Sequence, residues 1–521
     1  MNRLVRPAVV IPVAVVAALM AGAVIALPAS GSVALTGVPA AALDAKGLAA
    51  ARISVVTGGH PATVLVDGKP VASGGSGTLT ASLAGLSEGK HTVTATVDRG
   101  FPKGTATTTR TITVDTTAPA LHVVTPTAAV KVKDAVTITG TTERGSRVTS
   151  AAGSVNSDGN RFTIRYATAP AGDLVTATDP AGNAASVTVS VRTTYPNNIR
   201  GVHMTGRAWA YSKLRKPALA LIAAHKINAI QLDIKDEDGI VNYVSSVPLA
   251  KTIGANLDLY DPVKVTTQLH ALGVRVIGRI VAFNDPKLAD WAVSHGHRDW
   301  VIQNPQGGKY LYGYNKHGFG NFANAHVRGY NSDLAVEAVK AGFDDVIFDY
   351  VRRPDGPLKT MRFPGLVGKP SDSIASFLAE VQPKVRAAGG SLGAAAFAQA
   401  STRPTSTAQD IPEMAKHLDV VIPMDYPSHW NDGEYGVQNV YTGARQIVQR
   451  SLVDWKKAVA GTGCAVVPWL QDENFRGRYT PAKVREQISG ARDDGLPGWL
   501  MWSAVSKFTA AAYTPDATPA R

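Results

Sequence analysis

The stretch GFDDVIFDYVRRPDG, from Gly342 to Gly356, decides how the second half of this 521-residue chain is read. Val346, Ile347 and Phe348 are apolar in succession, as in a strand covered on both faces. Side chains alternate along a strand, so Val346, Phe348 and Tyr350 share one face and Asp345, Ile347, Asp349 and Val351 the other. The large apolar set suits a helix layer, which turns Asp349 the opposite way. Asp349 also stands at the C-terminal end of the strand, where parallel α/β barrels keep their chemistry. The plainer reading is an Asp that caps the loop or pairs with Arg352 or Arg353.

Working outward, the region from about 199 repeats the same pattern. Strands are expected at Gly201–Thr205, Ala229–Lys235, Arg275–Phe283, Asp345–Val351, Leu392–Phe397, Val420–Tyr426, Ala465–Gln471 and Gly498–Ser503, with amphipathic helices between them. Eight strand–helix units predict a (β/α)8 barrel, a TIM barrel, over 199–508 with a tail at 509–521. An open doubly wound sheet is the alternative, but its GxGxxG turn after the first strand is missing.

Polar residues collect at the C-terminal ends of these strands. Ile230, Leu232 and Ile234 share a face, leaving Gln231, Asp233 and Lys235 opposite. Polar groups in that position are costly to bury unless hydrogen-bonded or facing a wet pocket. Arg279 falls in the third strand, His203 in the first, and Asp425 ends the sixth, followed by Ser428, His429 and Trp430. Trp469, Gln471 and Asp472 end the seventh, and Trp499 and Trp502 lie in the eighth.

These pieces, in order, resemble the bacterial glycoside hydrolase barrel family DUF4015. The resemblance rests on Asp233-Ile234-Lys235-Asp236 with Asp238-Gly239, Arg279 through Pro286, and Phe348-Asp349-Tyr350-Val351-Arg352. It continues through Pro423-Met424, Tyr426-Pro427-Ser428-His429, Trp469-Leu470-Gln471-Asp472, and Gly498-Trp499 with Trp502. It implies a TIM barrel and a carbohydrate substrate. The chain departs from the family pattern at Arg353, where Phe is usual, and at Asp425, where an aliphatic residue is common.

Glycoside hydrolysis needs two carboxyl groups, one ionised and one held protonated. Asp349 is the ionised candidate, with Arg352 or a neighbouring cation depressing its pKa. Asp233 and Asp425 compete for the acid, with Asp472 behind them. Lys235, Arg279, Arg352, His203, His429, Gln471 and Asp472 are candidate polar contacts to substrate. Trp430, Trp469 and Trp502 offer flat faces for sugar rings. No metal ligand set or cofactor motif is expected. Rival readings are a non-catalytic carbohydrate-binding or cell-wall scaffold protein and a metal-dependent polysaccharide deacetylase.

The first half differs. Residues 51–116 and 117–195 are rich in Thr, Val, Ser and Gly and carry short alternating runs such as His91–Val97 and Ala185–Val191, broken by turns. They read as two all-β sandwich modules that fold apart from the barrel. DTTAP (115–119) and DPAGN (179–183) resemble bacterial Ig-like modules. Residues 1–50 hold Arg3 and Arg6, an uncharged apolar run from Ala8 to Leu27, and an Ala/Gly/Pro stalk. The run is long enough to span hydrocarbon and is read as a signal anchor, with a cleaved signal peptide as the alternative. The bulk of the chain is then expected outside the cytoplasmic membrane. The net charge of +13 is scattered, without the basic run of a nucleic-acid arm, so a polysaccharide or cell-wall glycan is the expected partner. A lone cysteine, Cys464, excludes disulfides within the chain.

Overall fold

The computed structural model describes residues 33–75, 77–313 and 316–520. The apolar run 8–27 lies outside the described residues. Among the described residues no helix is long and apolar enough to cross a membrane. The chain forms two compact units, one up to Pro119 together with Thr178–Ala184, the other holding 120–177 and 185 onward.

The first unit is an antiparallel sandwich. One sheet orders Leu35–Thr36, Arg52–Val56 and Thr78–Ser82. The other orders Lys69–Gly74, Ala62–Val66, Gly89–Asp98 and Thr105–Val114. Alternation decides which side chains meet: Ile53, Val55 and Ala81 of one sheet share a core with Val64, Val66, Val93, Val97 and Ile112 of the other.

The second unit begins with another pair of antiparallel sheets around Ile138, Phe162, Ile164 and Val175. This β module does not stand apart from the barrel, contrary to the expectation from composition. Arg386 donates to Asp419 Oδ1 at 2.5 Å and to Thr193 Oγ1 at 2.8 Å, and to the Val191 carbonyl at 3.2 Å. Thr193 in turn donates to Asp419 at 2.7 Å. A buried guanidinium–carboxylate pair cannot be opened on one side without stranding a charge. The joint between module and barrel is therefore part of one core.

The barrel strands are β1 (Arg200–Met204), β2 (Ala229–Lys235), β3 (Arg275–Val281), β4 (Asp345–Asp349), β5 (Ser391–Phe397), β6 (Val420–Met424), β7 (Ala465–Val466 and Trp469–Gln471) and β8 (Trp499–Trp502). All pair in parallel, and β5 with β6 completes the ring. Helices α1 (Ser212–Ala223), α2 (Pro262–Ala271), α3 (Ala325–Lys340), α4 (Pro370–Ala387), α5 (Ile411–Ala415), α6 (Ala444–Ala458) and α7 (Pro481–Asp493) lie between strands. Two cores follow from the alternation. Ala229, Ile277, Ile347, Ala395, Val420, Ile422 and Leu500 fill the interior. Val202, Ile230, Leu232, Val276, Val346 and Phe348 pack in the separate core shared with the helices.

Acidic residues at the two ends of β4 have different fates. Asp345, at the N-terminal end, is clamped by Arg275 at 2.6 and 2.7 Å and by the Tyr195 phenol at 3.0 Å. That cluster closes the barrel floor. Asp349 stands at the other end, one turn of alternation beyond Ile347.

Candidate active site at the barrel mouth

Arg279 organises the mouth. Its Nη1 donates to Asp233 Oδ1 at 2.9 Å, and its Nε and Nη2 donate to Asp349 Oδ2 at 3.0 and 2.6 Å. Nη2 also donates to Glu237 Oε1 at 2.5 Å. Register explains the first two contacts: Asp233 pairs with Arg279 across β2–β3, and Val281 with Asp349 across β3–β4, so all three inward side chains converge. His203 Nε2 completes the group by donating to Asp233 Oδ1 at 2.9 Å. Burial works to raise the Asp233 pKa, and His203 and Arg279 outweigh it, leaving the carboxyl below its ordinary value. Arg279 is buried among three carboxylates, and they hold its pKa well above the usual guanidinium value against the opposing effect of burial.

Asp349 is fixed from its other side too. Its Oδ1 accepts the backbone N–H of Tyr350 at 2.7 Å. Tyr350 has φ +48°, a left-handed conformation that a bulky side chain rarely adopts. Strain of this kind persists only where the surroundings impose it, and it concentrates at functional sites.

Aromatic rings line the mouth. Trp469 meets His203 edge-on at 5.5 Å and Arg279 at 5.8 Å. Tyr426 stacks on the half-buried Trp502 at 5.1 Å and meets His429 edge-on at 5.2 Å. The structure thus brings together Asp349, Asp233, Arg279, His203 and Trp469, with Trp502 and the exposed His429 at the rim.

The other sequence candidates go elsewhere. Lys235 does not line this cleft. A register shift between Asp233 and Lys235 turns it outward, and its Nζ donates to Asp285 Oδ2 at 2.6 Å and Asn331 Oδ1 at 2.9 Å. Asp425 also faces away. Val420, Ile422 and Tyr426 belong to the interior core, so alternation sends Asp425 toward α6, where Trp430 Nε1 and Ser451 Oγ donate to it at 2.9 and 2.7 Å. Burial pushes its pKa up to about 7. Trp430 is committed to that bond and is not a free sugar platform. Asp472 receives the backbone and hydroxyl of Thr509 at 2.7 and 2.6 Å, and the Tyr513 phenol, so it anchors the C-terminal segment. Gln471 donates to the carbonyls of Glu473 and Phe475 at 3.1 and 3.3 Å, which braces the loop.

Neither arginine after β4 pairs with Asp349. Arg352 lies 4.6 to 5.1 Å from the ring centres of Phe397, Tyr312 and Tyr350, and donates to the Tyr312 phenol at 2.6 Å. Arg353 donates to the carbonyls of Pro354 and Gly356 at 2.9 and 2.8 Å. Both hold the β4 loop in shape, and Arg279 supplies the charge beside Asp349.

Sequence reasoning passed over Glu237 and singled out Asp236 only as part of the family motif. Asp236 accepts the amides of Asp238 and Ile240, and burial pushes its pKa up to about 6. The available signal was the run KDEDG immediately after an inward Asp, which puts several acids on one mouth loop.

Several solved structures are similar to this chain. A hypothetical protein from Ruminiclostridium thermocellum shares 30% identity over 37% of this chain and 96% of its own, with a TM-score of 0.33. The PgaB (BpsB) glycoside hydrolase domain from Bordetella bronchiseptica shares 15% over 60% of this chain and 95% of its own, with a TM-score of 0.43. The α-galactosidase TtGalA from Thermus thermophilus shares 14% over 70% and 69%, with a TM-score of 0.37. No curated protein matches. The family model for DUF4015, the "Putative glycosyl hydrolase domain", matches residues 201–508, which is more than half of the sequence and the whole barrel, and the chain belongs to that family.

Proposed function

We propose that this protein hydrolyses glycosidic bonds in an extracytoplasmic polysaccharide or cell-wall glycan, with Asp349 and Glu237 as the paired carboxylates. The observation that carries the reading is their common partner. Both place an oxygen on Arg279 Nη2, at 2.6 and 2.5 Å, so those oxygens are at most about 5 Å apart. Retaining glycosidases hold their two carboxyl groups close, roughly 5–5.5 Å apart, so that one carboxylate attacks and the other protonates the leaving oxygen, and this upper bound fits that class better than the wider spacing of inverting enzymes.

The roles follow from the surroundings. Asp349 is buried and immobilised at both oxygens, which suits the nucleophile. Glu237 has a side chain 43% exposed, which suits the acid and base that exchanges protons with water. Asp233 orients Arg279 and is itself beneath it. The half-buried Trp502, backed by the buried Tyr426, provides an apolar ring face at the entrance.

Two further parts of the proposal rest on sequence. The arginine-flanked run 8–27 supports export, with the β modules as Ig-like spacers between membrane and barrel. Protease added to intact spheroplasts should digest residues 51–521; full protection would refute the placement.

The test of the activity is hydrolysis of cell-wall and capsular polysaccharides by wild type and Asp349→Asn. Turnover by the wild type that the variant loses supports the assignment. Sugar binding without turnover in either protein points instead to a non-catalytic carbohydrate-binding protein.

A further inference from the structure

Four side chains around Arg279 carry polar atoms that have no hydrogen-bond partner among the described residues. They are His203 Nδ1, Gln231 Oε1 and Nε2, Asp233 Oδ2 and Trp469 Nε1. None of the four residues is more than 3% exposed. They are neighbours: His203 and Gln231 face each other across β1–β2, His203 is bonded to Asp233, and Trp469 meets the His203 ring. Buried polar atoms are nearly always paired, so a cluster of unspent ones inside a candidate active site needs an explanation. The floor of this barrel fills its interior with apolar residues and closed ion pairs, which makes the cluster a local feature of the mouth end.

We propose that His203, Gln231, Asp233 and Trp469 form the recognition site for an uncharged, hydroxyl-bearing sugar ring; the proposal rests on the glycoside hydrolase reading of this mouth. The donor and acceptor inventory selects the ligand. Trp469 Nε1 can only donate, and the Asp233 carboxylate can only accept. Gln231 does both. His203 spends its Nε2 proton on Asp233, which leaves Nδ1 open to a hydroxyl partner. Hydroxyl groups each donate and accept, and they match this mixed set without bringing in a charge. A uronic acid would bring a further carboxylate to a site where one cation, Arg279, already serves Asp233, Glu237 and Asp349. An ammonium group would leave the Trp469 N–H without an acceptor.

The test uses the full chain and defined probes. D-glucose, D-galactose and D-mannose, with oligosaccharides of each, are compared with the matching uronic acids and amino sugars by ligand-observed NMR and calorimetry. The proteins are wild type, Gln231→Leu, Trp469→Phe and Asp349→Asn. At least one neutral probe should bind, and its affinity should fall tenfold or more in Gln231→Leu and in Trp469→Phe. The melting temperature should not fall in Gln231→Leu, which removes atoms that are unpaired in the free protein; Trp469→Phe also leaves a cavity in a buried position and is read by affinity. A lowered melting temperature in Gln231→Leu with unchanged sugar affinity would mean that internal water satisfies these atoms, and would overturn the proposal. So would tighter binding of charged sugars, or no binding of any neutral probe. Aryl glycoside hydrolysis separates the two readings. Turnover that needs Asp349 but ignores Gln231 and Trp469 keeps the hydrolase and removes the recognition site. Neutral-sugar binding that needs Gln231, without any turnover, keeps the site and removes the hydrolase.

Discussion

Arg279 and Asp349 meet through one carboxylate oxygen: Oδ2 receives both Nε and Nη2, at 3.0 and 2.6 Å. The other oxygen is occupied by the Tyr350 amide, so the carboxylate cannot rotate without breaking a bond at either end. Preorganisation of this kind is what a nucleophile attacking a fixed ring carbon requires.

Asp349→Asn should therefore abolish most turnover. Losing one of two essential carboxylates costs at least the roughly 10²–10⁴-fold of general acid–base catalysis. Glu237→Gln should show a loss in the same range, with little change in stability because its side chain is 43% exposed. The measurement is kcat on a confirmed substrate beside thermal denaturation. Near-normal turnover in Asp349→Asn would remove it from the site.

Arg279→Met should destabilise the fold. It strands Asp233 and Asp349, both nearly inaccessible, and breaking a buried pair by removing one partner costs about 3–5 kcal/mol. Arg279→Lys should recover only part of that, because a single ammonium cannot reproduce the fork that reaches three carboxylates. The folded pKa of Asp233 is lowered, so its contribution is present above the unfolded value and lost as pH falls through the folded one. The penalty of Arg279→Met should shrink accordingly in acid. Urea denaturation of the variants at several pH values measures this.

Asp425 should behave oppositely. Its folded pKa is raised to about 7, so the native state holds a proton that the unfolded chain has released. The associated stability is complete below the unfolded value of 3.8 and is lost as pH rises toward 7. Asp425→Asn keeps an acceptor for Trp430 and should flatten that slope while leaving turnover largely intact. Asp425→Ala abandons Trp430 and Ser451 and should cost about 1–3 kcal/mol. Stability against pH, measured for both variants, decides; a large loss of kcat in Asp425→Asn would return Asp425 to the candidate site.

Arg386→Leu should destabilise β module and barrel together. It leaves Asp419 buried and unpaired and removes the bridge to Thr193, for about 3–5 kcal/mol. A barrel beginning at residue 199 should melt below the full chain for the same reason. A truncated barrel as stable as the full protein would show that the joint contributes nothing.

Eight strand–helix units were enough, from sequence, to predict the barrel, and the alternation of apolar residues to predict the inward face of Asp349, because a strand's two faces are set by local geometry. The same alternation turns Asp425 outward, with Val420, Ile422 and Tyr426 inside; its position at a strand end was the misleading cue. Lys235 escaped prediction because a one-residue register shift after Asp233 reverses its face, and the shift depends on how β2 pairs with β3. Which cation serves Asp349 was beyond sequence as well. Arg352 is three residues away and turns into an aromatic box, whereas Arg279, 70 positions earlier, reaches it across neighbouring strands. The Arg386–Asp419–Thr193 joint is likewise built from distant positions. Periodicity fixes the direction a side chain points, but the partner it finds depends on closing the barrel, which brings residues from separate strands within hydrogen-bond range.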